Sequence, residues 1–170
     1  MNANRAWPSL LAAVGAIAMT PSSAAADAPI AYSAAGAGHF EFISDAGVAA
    51  LRTFAFHAAT SSDATVTGQA QVNNRATGQT LHIQIDCLNV IGNVAVLSGT
   101  ATSATGPDNA EGDSEIFAVQ DNGQGAASSP DRVTRAFGNS GFVCTDITPA
   151  DIAFVTSLLN DIDEGNIQIR

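Results

Sequence analysis

Lysine is absent from the 170-residue chain. Without an ε-amino group there is no Schiff base and no Ser–Lys dyad. Six arginines face sixteen carboxylates. A surface of that sign repels nucleic-acid phosphates and anionic lipid, so neither is an expected partner. Aromatic residues are few: one Trp, one Tyr and eight Phe. Trp7 falls in the leader described below, leaving Tyr32 and phenylalanines that sit mostly at core-facing positions, so the signal for the stacking platforms of a sugar site is poor. Only His39, His57 and His82 supply imidazole, with no short zinc-ligand spacing. No G-x-S-x-G elbow is present, and Gly138-Asn139-Ser140-Gly141 has the composition of a hairpin turn. No C-x-x-C motif marks a redox centre. The chain therefore reads as non-enzymatic, with no catalytic residues and no cofactor.

Long apolar runs are also lacking. The longest, Leu10 to Met19, is about half the roughly 20 residues of a membrane span, so no transmembrane segment is expected. Preceded by Arg5 and followed by Thr20-Pro21-Ser22-Ser23-Ala24-Ala25-Ala26, it has the layout of a secretory signal peptide over residues 1–26. Cleavage there would remove Met1, Met19 and Trp7 and leave 144 residues, enough for one domain with a single core. The mature chain keeps five arginines and all sixteen carboxylates, a net charge of −11. Its expected location is secreted or periplasmic.

Two cysteines remain, Cys87 and Cys144. In an exported chain an even count suggests a disulfide, the alternative being two buried thiols.

Residues 27–37 read as a linker, rich in Gly and Ala from Ala34 onward, and residues 38–170 as a single domain. Alternation of period two then dominates. Phe40 and Phe42 flank Glu41; Phe54 and Phe56 face inward while Thr53 and His57 face outward; Val66, Gly68, Ala70 and Val72 share one face; Leu81, Ile83, Ile85 and Cys87 share another. Val94, Val96, Ser98 and Thr100 continue it, and Ile116 to Val119 and Val133 to Phe137 are shorter runs. The turns between them, Asn73 to Gly78, Ile91-Gly92-Asn93 and Asp121-Asn122-Gly123, tolerate positive φ. The expectation is an all-β protein, an antiparallel up-and-down β-barrel of about eight strands; alternation alone does not separate it from two packed sheets. Closure would come from Gly165 to Arg170 pairing with His39 to Ile43. One short helix near the C-terminus is expected over 149–160, from the Thr148-Pro149-Ala150-Asp151 start and the helical spacing of Ile152, Val155, Leu158, Leu159 and Ile162.

Taken together, Gly38 to Phe42, Gly68-x-Ala70-x-Val72, Leu81-His82-Ile83-x-Ile85-x-Cys87-Leu88, Gly92-Asn93, Asp121-Asn122-Gly123 with Ser129-Pro130-Asp131-Arg132-Val133, and Gly165-Asn166-Ile167 resemble secreted bacterial post-COAP domains, over about Gly36 to Arg170. That resemblance implies an exported β-barrel-like module and supplies no catalytic residues. The helix at 149–160 and Gln124, in place of a commoner acid, depart from the pattern.

Asp108, Glu111, Asp113 and Glu115 crowd one segment and form a candidate weak calcium site, although their spacing is not that of an EF-hand. Asp131 and Arg132 are expected to brace the loop 124–130. The functional expectation is an exported, non-catalytic module with an interaction or envelope-associated role of unspecified partner, either a protein or a small apolar ligand. The alternatives are a barrel enclosing a small apolar ligand, with room left by inward Gly68, Ala70, Ser98 and Thr100, or the weak calcium-binding module.

Overall fold

A computed structural model describes residues 30–43, 47–106, 109–125, 128–138 and 140–170. The expected leader, residues 1–26, lies outside the described residues. Six strands form an antiparallel meander: β1 (Ile30–Ile43), β2 (Ala49–Ser61), β3 (Val66–Asn74), β4 (Gln79–Ile91), β5 (Val94–Thr105) and β6 (Ser114–Gln120). Short strands complete the sheet: β7 (Arg132–Val133), β8 (Phe137–Gly138), β9 (Asn160–Asp161) and β10 (Glu164–Ile169). The path runs β10-β1-β2-β3-β4-β5-β6-β7-β9, with β8 also beside β6. The sheet curls into a half-barrel, all-β and antiparallel as its alternation requires. Its two ends, β9 and β10, are separated in the chain by only Ile162 and Asp163.

The concave side holds the main core. Phe40, Phe54, Phe56 and Phe117 form a chain of rings with successive centroids 6.2, 6.2 and 5.7 Å apart. Leu81, Ile83, Ile85, Leu97, Val119 and Ile167 pack around them. The cavity beside these rings is only about 10 Å³. Room for an enclosed ligand was expected partly from Ser98 and Thr100, but those two face the other way. On β5 the inward residues are Ala95, Leu97, Gly99 and Ala101; Ser98 is half-buried and Thr100 exposed on the outer side.

The expected linker is strand. Ala34 to Gly38 lies in the middle of β1, where small side chains admit its neighbours. A β-carbon on Gly36 would sit 2.8 Å from the Phe56 ring and 2.9 Å from Ile167. The last strand does pair with β1, but in a different register, Ala34↔Ile169 to His39↔Glu164, instead of with His39 to Ile43. Glycines lock that register. Gly38 lies opposite Gly165, and a β-carbon on Gly165 would fall 2.2 Å from the Ala37 carbonyl oxygen. Only two residues without β-carbons let the backbones approach so closely.

Opposite the β1–β10 ladder, side chains close the seam. Asp131 is buried; its Oδ1 accepts the Asn122 N–H at 2.8 Å and its Oδ2 accepts the Ile167 N–H at 2.7 Å. Asp121 accepts from Gly123 at 2.8 Å and from Ile169 at 3.0 Å. Two carboxylates thus satisfy β10 amides that have no strand beside them on that edge. Asp131 does hold its loop, as expected, but Arg132 does not join it. Its Nε pairs with Asp161 at 3.1 Å and its Nη2 donates to the Leu159 carbonyl at 2.7 Å.

The helix is shorter than expected. α1 spans Ile152–Ser157, with residues 149–151 forming a turn before it. Thr148 donates from both its backbone N–H and its hydroxyl to Asp151 Oδ2, at 2.9 and 2.6 Å. Those bonds, the hydroxyl's foremost, hold the Asp151 carboxyl below its ordinary pKa. At the other end the Thr156 and Ser157 hydroxyls take carbonyls of the same turn, and Asn160 leaves to pair with Val133 in the sheet.

Candidate functional site

The first part of β5, Val94 to Leu97, and β6 from Glu115 to Val119 are buried on both faces, which explains why neither segment shows a clean alternation. Ala95, Leu97, Phe117 and Val119 point into the half-barrel, whereas Val94, Val96, Ile116 and Ala118 point outward into a second apolar cluster. That outer cluster is covered by residues 140–159, a flap made of the 3-10 turn Cys144–Asp146 and α1. Val155 and Leu159 from the flap, with Cys144, complete it.

A bulge makes the attachment. Ile85 lies opposite Gly99 and Cys87 opposite Ser98, so β4 gains one residue relative to β5. The shift turns Cys87 from the inward face, expected from alternation with Ile85, to the outward face. There it forms a disulfide with Cys144, with Cα atoms 6.2 Å apart. Asn89 adds a second hold, its amide donating to the carbonyls of Cys144 and Ile147 at 2.9 and 2.8 Å.

The flap does not seal the cluster. A cleft of about 70 Å³ remains between it and the sheet, floored by Val96, Ile116 and Ala118 and walled by Phe137, Val155 and Leu158. Phe142 and Phe154 stand at its mouth with ring centroids 6.1 Å apart, each 53% exposed. Val143 and Leu158 extend the exposed apolar surface. The apolar site that the sequence offers as an alternative lies inside the barrel, whereas this cleft is outside it; Phe142 and Phe154 carry its signal in the sequence, since neither fits the inward alternation.

A wider and different concavity, about 570 Å³, lies on the outer face of β1–β5. His57, Gln69, Gln71, His82 and Gln84 line it, all solvent-exposed. His57 and His82 therefore share one concavity, and among the described residues the histidines do not gather into a metal site.

The acidic segment is dispersed. Asp108 lies outside the described residues. Glu111 is exposed, and Asp113 caps its own turn by accepting the Ala110 N–H at 2.7 Å. Glu115 turns inward on β6 and is 1% exposed. Among the described residues no group of three or more His, Cys, Asp or Glu converges as metal ligands. Glu115 Oε1 and Asn109 Oδ1 lie 3.0 and 3.1 Å from where a β-carbon on Gly138 would stand, so the carboxyl packs tightly under β8.

Burial, reinforced by the Asp113 carboxylate, pushes the Glu115 pKa up to about 7 from 4.5. Below pH 4.5 the group is protonated folded or unfolded and has no effect on stability. Between pH 4.5 and 7 the unfolded chain releases the proton first, so stability falls as pH rises. The loss levels off above pH 7 at up to roughly 3 kcal/mol. Urea unfolding at pH 5 and pH 8 should show this decline in the parent and a much smaller one in Glu115→Gln. Equal slopes in both proteins would show that Glu115 ionises normally.

Comparison with protein-family models, with curated proteins and with solved structures returned no match.

Proposed function

We propose that the chain is an exported, non-catalytic β-barrel module that acts by binding, and that its contact surface is the cleft under the flap. The observation that carries this reading is the pair of exposed rings, Phe142 and Phe154, gathered over an apolar cleft outside a filled core. Exposed aromatics beside a small dry pocket are the usual composition of a recognition surface. The disulfide is compatible with an oxidising compartment, and no helix among the described residues is long and apolar enough to cross a membrane. Kinship with post-COAP-like modules belongs to the same reading.

Xenon tests the location of the site. It is apolar and small enough for a cleft of this size. In xenon-saturated buffer the methyl resonances of Val96, Ile116 and Leu158 should shift, and those of Leu81 and Ile83 should not. Shifts confined to the interior methyls would favour the enclosed-ligand barrel, and no shift anywhere would remove the reading.

A further inference from the structure

Resting on the reading of the flap cleft as a contact surface, we infer that its partner is an extended protein segment carrying one apolar anchor side chain flanked by arginine or lysine. Size is the first argument. The cleft offers about 70 Å³, whereas pockets for small molecules run to roughly 300–1,000 Å³. An apolar cavity of about 150 Å³ holds a benzene molecule. Half of that takes one aliphatic side chain, the way an interface hot spot seats an anchor. The exposed Phe142, Phe154 and Leu158 then cover the backbone on either side of the anchor.

Charge is the second. The flap, residues 140–159, carries Asp146 and Asp151 and no basic residue. The nearest cations in the chain, Arg132, Arg135 and Arg170, lie outside the flap, and Arg170 donates to Gln168 Oε1 at 2.9 Å. Arg132 pairs with Asp161, and Arg135 lies 5.2 Å from the Phe42 ring centre and 4.9 Å from that of Phe137. An apolar socket under a flap whose only charges are the Asp146 and Asp151 carboxylates favours a basic approach and repels acidic segments. The same charge opposes a second copy of this chain as occupant, because the copy brings the same carboxylates to the contact.

The test is fluorescence anisotropy with labelled decapeptides, serine-based, each with a central leucine and two arginines on either side. The oxidised protein is expected to bind this peptide. Replacing the leucine by serine, or the arginines by glutamates, should weaken binding at least tenfold. Raising sodium chloride from 50 to 500 mM should weaken it several-fold. Phe154→Ser, at an exposed ring, should weaken it at least tenfold with the melting temperature little changed, and Asp146→Lys severalfold. Glutamate-flanked leucine binding equally well, still dependent on Phe154, would overturn the inference while leaving the cleft as a contact surface. So would a dimer seen by sedimentation and abolished by Phe154→Ser. Failure of every peptide to bind at millimolar concentration would also overturn the inference; if xenon leaves Val96 and Ile116 unshifted as well, the binding reading falls with it.

Discussion

Asp131→Ala is expected to lower stability by about 4 kcal/mol, the sum of two charge-assisted bonds to backbone amides, one buried and one half-buried. The carboxylate is 6% exposed and bridges the Asn122 and Ile167 N–H groups, while its own carbonyl accepts from Ile162 at 2.9 Å. Alanine leaves both amides without an acceptor and opens the edge of β10. At roughly 2–4 °C per kcal/mol for a domain of this size, the melting temperature should fall by about 10 °C or more. Asp121→Ala removes two comparable bonds at a more accessible position and should lose only about 1–2 kcal/mol. A loss below 1 kcal/mol for Asp131→Ala, measured by urea unfolding, would mean that the seam is held elsewhere.

Removing the disulfide, by Cys87→Ser with Cys144→Ser, is expected to reduce stability by about 4 kcal/mol on the chain-entropy model for a loop closed over 57 residues. The damage should be local before it is global. The six-strand meander does not depend on the flap for its ladders, whereas residues 140–159 lose the covalent hold and keep chiefly the Asn89 bonds and the outer cluster. An undocked flap exposes Val94, Val96, Ile116 and Ala118, so the double variant should bind an apolar dye more strongly than the parent at temperatures where the barrel is intact. Unchanged dye binding with a single cooperative melt would show that flap and barrel form one unit.

Most of the β-architecture was legible because period-two alternation is a direct imprint of one buried face. Phe54 with Phe56, Gly68 with Ala70, and Leu81 with Ile83 and Ile85 all point where alternation places them. The same rule failed where a second face is also buried. Val94, Val96 and Ile116 are as apolar as any inward residue, yet they point out, and only the flap explains them. Bulges are the other blind spot. One added residue near Asp86 changes which face Cys87 occupies, and alternation carries no record of it. Ala34 to Gly38 looked like a linker because small residues are common there; the tight crossing of β10 is what requires them. The site was legible only in part. Phe142 and Phe154 lie twelve residues apart in the sequence and become neighbours only once Cys144 is tethered and α1 has turned back on the sheet.

The Asp121-Asn122-Gly123 and Ser129-Pro130-Asp131 segments form the clasp of the seam. Asn122 adds a bond from its side-chain amide to the Pro130 carbonyl, at 2.6 Å. Their carboxylates are committed to backbone amides, which argues for a structural role at these positions.

Isotope-edited nuclear Overhauser spectra of the oxidised protein are the most direct check on a curled sheet wearing an apolar socket on its outside. They should connect the Val96 and Ile116 methyl groups to the rings of Phe142 and Phe154, and the Ala34 backbone to Ile169. Methyl contacts running instead from Val96 to Leu81 or Phe56 would put those side chains back inside the barrel and dismantle the socket altogether.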